Sequence, residues 1–162
     1  MDIFSELVEL LKENKYHISA AESCTGGMFI SSVIEYPGTS AIVDRSFITY
    51  SAAAKTELVG VPADIIADCG LVSEKVAFYM AKGAAQISNS EIGIGITGNA
   101  GPSSCDEDKT VGTVCFGICI NGATFTFTQN FGKCDRTEVR RKACRFAAEK
   151  TVELIKQKGN II

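Results

Sequence analysis

The sequence predicts an α/β protein in which a mixed β-sheet lies between two layers of helices. It reads as a three-layer α/β/α sandwich, with residues 1–162 forming one domain. Three observations carry that expectation. Helical and strand-like hydrophobic patterns alternate along the first part of the chain, as they do where crossover helices join parallel strands. Asn121-Gly122 links two strand-like runs and is the strongest short hairpin signal, so antiparallel strands close the sheet. Finally, Ala20-Ala21-Glu22-Ser23-Cys24-Thr25-Gly26-Gly27 carries an apolar strand into small and hydroxyl residues and then into a helical pattern.

The elements follow in order. Ile3, Leu7, Leu10 and Leu11 recur at helical spacing, so the chain opens with an amphipathic helix. Residues 17–22 form a strand. Met28 to Ile34 is helical and ends near the turn signal Tyr36-Pro37-Gly38. Ser46 to Tyr50 alternates as a strand, and the alanine-rich stretch Ala52 to Val59 is a helix stopped by Gly60. Pro62 starts a short helix over Ala63 to Asp68. Ser73 is placed as the N-cap of a helix running from Glu74 to about Ile87. In the strand Glu91 to Thr97, isoleucines alternate with small residues. Gly98 to Thr110 is a polar loop with Gly101-Pro102 and the acidic run Asp106-Glu107-Asp108. Val111 to Ile120 and Ala123 to Asn130 are the hairpin strands. Asp135-Arg136-Thr137-Glu138 reads as a capping box opening a long helix to about Lys158.

Composition narrows the function classes. Hydrophobic residues make up 46% and charged residues 22% of the 162, ordinary values for a globular chain with a real core. A net charge of −3 argues against a nucleic-acid-binding surface. No apolar run approaches the ~20 residues that span a bilayer. The acidic, amphipathic N-terminus does not read as a signal peptide, so no membrane partner and a cytoplasmic location are expected. Seven cysteines, without Cys-x-x-Cys or zinc-type spacing, read as free thiols, with Cys115 and Cys119 in the core. No metal and no cofactor are expected. The one histidine, His17, leaves little from which to build a Ser-His-Asp triad.

Open α/β sheets bind ligands at the carboxyl ends of their strands. Three segments end there: Glu22 to Thr25, Tyr50 with Ser51, and Thr97 with Gly98. The turn after Glu22 puts Ser23, Cys24 and Thr25 at a helix N-terminus, where backbone N–H groups can hold an oxyanion or a phosphate. The plainer alternative is a hydroxyl N-cap with two turn glycines. A serine nucleophile needs a base. With histidine scarce, Lys55 is the candidate, one helical turn beyond Tyr50. Its amine serves only if burial or a nearby cation such as Arg45 lowers its pKa towards neutrality. Cys24, beside Ser23, is a second candidate nucleophile.

The chain resembles the C-terminal domain family of the competence/damage-inducible protein CinA, whose stand-alone members include nicotinamide-mononucleotide amidohydrolases. The resemblance rests on Ala21 to Gly27, Pro37-Gly38-Thr39-Ser40, Phe47 to Ser51 with Lys55, and Gly70 to Glu74. It continues through Thr97-Gly98, Ala100-Gly101-Pro102, Val111 to Val114, Asp135-Arg136 and Val139-Arg140. It implies metal-free hydrolysis of the nicotinamide carboxamide of a pyridine nucleotide to the acid and ammonia, by a homodimer. Ser23 is then the nucleophile, Lys55 the general base, and Tyr50 an aid to that pair. Thr25, Gly26, Gly27, Arg45, Thr97, Gly98, Ala100 and Gly101 are placed around the substrate, and Arg140 with Arg136 on its phosphate. The chain departs from the family pattern at Ala52, usually asparagine, at Ser103-Ser104-Cys105, and at Cys134, usually glycine. The larger CinA proteins carry an N-terminal domain with metal-dependent pyrophosphatase activity, and neither is expected here. The alternative function is a non-catalytic module that binds a nucleotide or a partner.

Overall fold

The computed structural model describes residues 2–104 and 109–159. Cys105 and the acidic run Asp106-Glu107-Asp108 lie outside the described residues. The chain forms α1 (Ile3–Asn14), β1 (Ile18–Glu22), α2 (Met28–Ile34), a 3₁₀ turn (Thr39–Ala41), β2 (Phe47–Ile48) and α3 (Ala52–Val59). It continues as α4 (Ala63–Cys69), α5 (Glu74–Ser88), β3 (Ile92–Gly98), β4 (Thr113–Ile120), β5 (Ala123–Asn130) and α6 (Arg136–Gly159). The element order matches the sequence expectation.

The five strands make one sheet in the order β2-β1-β3-β4-β5. β1 pairs in parallel with both β2 and β3, while β3-β4 and β4-β5 are antiparallel. The chain leaves β1 first towards β2 on one side and then returns to β3 on the other. The carboxyl end of β1 is therefore the topological switch point, where open α/β sheets leave a crevice. Ser23 is the first residue beyond it.

Two strands differ from expectation. β2 is shorter because its first expected residue, Ser46, uses its hydroxyl instead of its backbone to accept the Ala20 N–H, at 2.8 Å. β4 begins at Thr113 because Gly112, at φ +92°, turns its N–H onto Asn99 O.

The alternation in β3 decides what covers each face. Ile92, Ile94 and Ile96 are fully buried in a core shared with Leu7, Leu11, Phe29, Val33, Val139 and Ala147 from α1, α2 and α6. Gly93 and Gly95 face α5, together with Gly117 of β4. An added Cβ at Gly93 would lie 2.2 Å from Ala81 O, and one at Gly117 2.2 Å from Ala77 O. The glycines let α5 rest its backbone directly on the sheet, so α1, α2 and α6 form one outer layer and α5, with α3 and α4, the other.

Gly83 in α5 plays the same part towards α3, since its added Cβ would sit 1.8 Å from Val59 O. A backbone oxygen cannot rotate away. Gly83→Ala is therefore expected to cost about 1–3 kcal/mol by overpacking, more than the ~1 kcal/mol that alanine gains over glycine inside a helix. A lowered urea midpoint with unchanged slope checks this. An unchanged midpoint would mean that α3 and α5 are not in contact there.

Candidate active site

Ser23 keeps one foot in the sheet, donating its N–H to Ile96 O at 3.0 Å. The turn that follows needs two left-handed residues, Gly26 at φ +55° and Gly27 at φ +95°, which explains the paired glycines. Glu22, the last residue of β1, is fully buried. Its Oε2 accepts the N–H groups of Gly27 (3.1 Å) and Phe29 (3.0 Å), and its Oε1 accepts that of Ile30 (3.0 Å). The Gly26 N–H goes to Ser23 O and the Met28 N–H to Thr25 O. This corrects one expectation. The start of α2 was expected to hold an oxyanion or phosphate, but the chain's own carboxylate already occupies it, so Gly26, Gly27 and the first turn of α2 are not a free anion cradle. The N–H groups of Cys24 and Thr25 remain, and neither donates to another residue among the described ones.

Lys55 comes from the first turn of α3, which is capped by the Ser51 hydroxyl accepting the Ala54 N–H at 3.0 Å. The side chain is 1% exposed. Its Nζ lies 3.1 Å from Ser23 Oγ, 2.8 Å from Thr49 O and 3.4 Å from Tyr50 O. Carbonyl oxygens only accept, so they take N–H groups of the amine. The amine is thus held against the Ser23 hydroxyl, within reach to exchange a proton with it.

Tyr50 is brought to the site, but its phenol is not on the Ser23–Lys55 pair. The ring is 62% exposed and the hydroxyl accepts from Arg136 Nη2 at 3.1 Å. Arg136 Nη1 donates to Gly101 O at 2.6 Å. Tyr50 reaches Lys55 through its backbone carbonyl instead.

A cavity of about 130 Å³ opens above this pair. Ser23, Cys24, Tyr50, Lys55, Leu71, Thr97, Gly98, Asn99, Ala100, Gly101, Ser103 and Arg136 line it. Eight of the residues expected at the site therefore converge: Ser23, Tyr50, Lys55, Thr97, Gly98, Ala100, Gly101 and Arg136. Thr25, Gly26, Gly27, Arg45 and Arg140 are not among the lining residues. Arg45 is more than half exposed and paired with its neighbour Asp44, so it supplies no cation beside Lys55. Arg140 donates from Nε to Cys24 O at 2.9 Å and from Nη2 to Thr25 O at 3.1 Å, so its fork is already occupied by main chain. Leu71 escaped the sequence reading, and Asn99, inside the stretch Thr97 to Gly101 expected at this edge, was not singled out. Leu71 has no reactive group, and Asn99 stands inside a loop where nothing in the pattern separates it from its neighbours.

Cys24 packs into the core at 6% exposure. Burial pushes its thiol up to about 12, and the Glu22 charge adds to the rise. A thiol so raised is protonated throughout the neutral range and forms thiolate only as pH climbs through that value. Cys24→Ala is therefore expected to keep activity within about threefold. Iodoacetamide is expected to leave Cys24 unmodified at pH 8, as read by peptide mass spectrometry. Rapid alkylation with loss of activity would restore the cysteine reading. Among the described residues, no group of three or more His, Cys, Asp or Glu side chains is placed to hold a metal ion. No helix among them is long and apolar enough to cross a membrane.

The family model described as the CinA C-terminal domain matches residues 2–155. A competence-damage inducible protein of Clostridium perfringens is 47% identical over 132 residues, covering 82% of this chain and 32% of that protein. The chain thus spans about a third of the length of that relative. Two solved structures are similar over nearly the whole chain. A CinA superfamily protein from Klebsiella pneumoniae has a TM-score of 0.92 and 28% identity, covering 96% of each chain. A competence/damage-inducible protein from Agrobacterium tumefaciens has a TM-score of 0.89 and 34% identity, covering 95% of this chain and 96% of that one. With its fold, its strand-end motifs and these matches in agreement, the chain belongs to the CinA C-terminal domain family.

Proposed function

We propose that residues 1–162 work as a Ser/Lys amidohydrolase that converts nicotinamide mononucleotide to nicotinate mononucleotide and ammonia. The observation that carries the reading is the buried Lys55 amine 3.1 Å from Ser23 Oγ at the switch point of the sheet. In the proposed reaction Ser23 Oγ attacks the carboxamide carbon while Lys55 takes its proton. The N–H groups of Cys24 and Thr25 are the donors left in the turn for the developing oxyanion. Lys55 then passes the proton to the departing nitrogen, ammonia leaves, and an acyl ester remains on Ser23. Water, deprotonated by Lys55, attacks that ester; the bond from the acyl carbon to Ser23 Oγ breaks, Lys55 returns the proton to Ser23 Oγ, and the acid is released. Arg136, which lines the cavity, is the cation proposed for the phosphate; Gly101 O and the Tyr50 phenol each take one of its N–H groups, and its remaining N–H groups would face the anion.

Ala52, the family departure that favours a non-catalytic module, is the first residue of α3 and is not a lining residue of the cavity. The change removes no group from the Ser23–Lys55 pair. The resemblance further supports a homodimer as the working form. The test is ammonia release from nicotinamide mononucleotide against free nicotinamide. The nucleotide is expected to turn over and the free base to be a poor substrate. Equal turnover of the two would remove the phosphate site from the proposal.

A further inference from the structure

We infer that Glu22 and Arg140 are positioning residues that hold the Ser23 turn at its N–H groups and at its carbonyls, and that Arg140 is not a substrate ligand. The inference rests on the reading of Ser23 as the nucleophile. The turn from Ser23 to Gly27 belongs to neither a strand nor a helix, yet it must hold one oxygen within bonding distance of one amine. Two charged side chains fix it. The Glu22 main chain stays in the sheet, accepting the Thr49 N–H at 2.8 Å, while its carboxylate reaches past the turn to three N–H groups at the start of α2. Strand end and helix start are thereby tied into a ring that contains Ser23. Arg140, on α6, grips two successive carbonyls of the turn, Cys24 O and Thr25 O. Because the peptide plane is rigid and trans, fixing those carbonyls also fixes the direction of the N–H groups that follow them, including Thr25 N–H.

An uncharged N-cap could satisfy one or two helix donors, but only a carboxylate offers two acceptor oxygens and no hydrogen. Glu22→Gln replaces one acceptor with an NH₂ that must face a backbone donor in a buried site. Arg140→Lys keeps the charge but loses the planar fork that spans two carbonyls. Neither change alters the Ser23 or Lys55 side chain. Their effect is displacement, and a displacement of about 1 Å at a reacting atom costs on the order of 10²-fold in rate.

The experiment follows Ser23 directly. Wild type, Glu22→Gln, Arg140→Lys and Arg140→Ala are treated with a fluorophosphonate probe, which labels activated serines, without nucleotide. KM and kcat for nicotinamide mononucleotide and the thermal midpoint are measured in parallel. Each variant is expected to lose on the order of 10²-fold in labelling rate and kcat, with KM within about threefold of wild type. Guanidinium ion at tens of millimolar is expected to restore part of the labelling in Arg140→Ala and none in Glu22→Gln. A raised KM with unchanged labelling in the Arg140 variants would overturn the inference and return Arg140 to the substrate phosphate. Wild-type-like labelling in Glu22→Gln would overturn the role of Glu22. If nicotinamide mononucleotide is not a substrate, the labelling ratios still decide between these outcomes. If wild-type Ser23 is not labelled at all, the nucleophile reading falls and the inference falls with it.

Discussion

Ser23→Ala is expected to lower kcat for amide hydrolysis by about 10⁴-fold or more, the loss seen when a covalent nucleophile is removed and only binding and oxyanion donors remain. The fold is expected to survive. The bond that seats this residue in the sheet runs from its backbone N–H to Ile96 O and does not involve the hydroxyl. The thermal midpoint should therefore stay close to wild type and KM should change little. Ammonia release is the assay, with the midpoint as control. A variant that keeps a tenth or more of wild-type kcat would show that the attacking oxygen comes from elsewhere, such as water acting directly.

The second large effect is at Lys55. Lys55→Met fills nearly the same buried space with an apolar side chain and leaves the Ser23 hydroxyl without a base. A loss of about 10³-fold or more in kcat/KM is expected, within the range for removing a general base together with its orienting contact. Lys55→Arg is expected to fail as badly. Guanidinium keeps its proton, and its larger planar head does not fit a site that is 1% exposed. The pH profile separates a base from a structural lysine. Only the neutral amine accepts the Ser23 proton, so wild-type kcat/KM should fall with unit slope on the acid side as the amine takes a proton. In Lys55→Met that limb should be gone from the residual activity. A Lys55→Arg protein with near-normal turnover would make this residue an electrostatic partner only.

Much of this was legible in the sequence because it depends on local pattern. Isoleucine alternating with small residues announced the strand β3, while the close approach of α5 to its glycines emerged only in the fold. Asn121-Gly122 announced the hairpin, and an apolar strand ending in Ser23 announced the strand-turn-helix junction. The placement of Lys55 followed from one helical turn of spacing after Tyr50. What sequence could not show were side-chain fates set by distant contacts. Arg140 meets Cys24 O across 116 positions and Arg136 meets the Tyr50 phenol across 86. The family resemblance put Arg140 on the substrate phosphate and Tyr50 beside the Ser23–Lys55 pair, and only the folded chain gives the Arg140 fork and the Tyr50 phenol these other partners. Glu22 was hidden differently. At a strand end it reads as a polar boundary residue, and only the chain turning back on itself brings its carboxylate to the three N–H groups that were expected to be free. Arg45 failed for a simpler reason, because its neighbour Asp44 offers a partner in solvent.

In the proposed reaction one serine oxygen and one buried amine hydrolyse a carboxamide. Its most direct test is ammonia and nicotinate mononucleotide measured together from nicotinamide mononucleotide, with wild type, Ser23→Ala and Lys55→Met run side by side. Equal amounts of the two products are expected from wild type, with losses in Ser23→Ala of about 10⁴-fold and in Lys55→Met of about 10³-fold. Folded wild-type protein that releases no ammonia, or a Ser23→Ala protein that matches its rate, would contradict it.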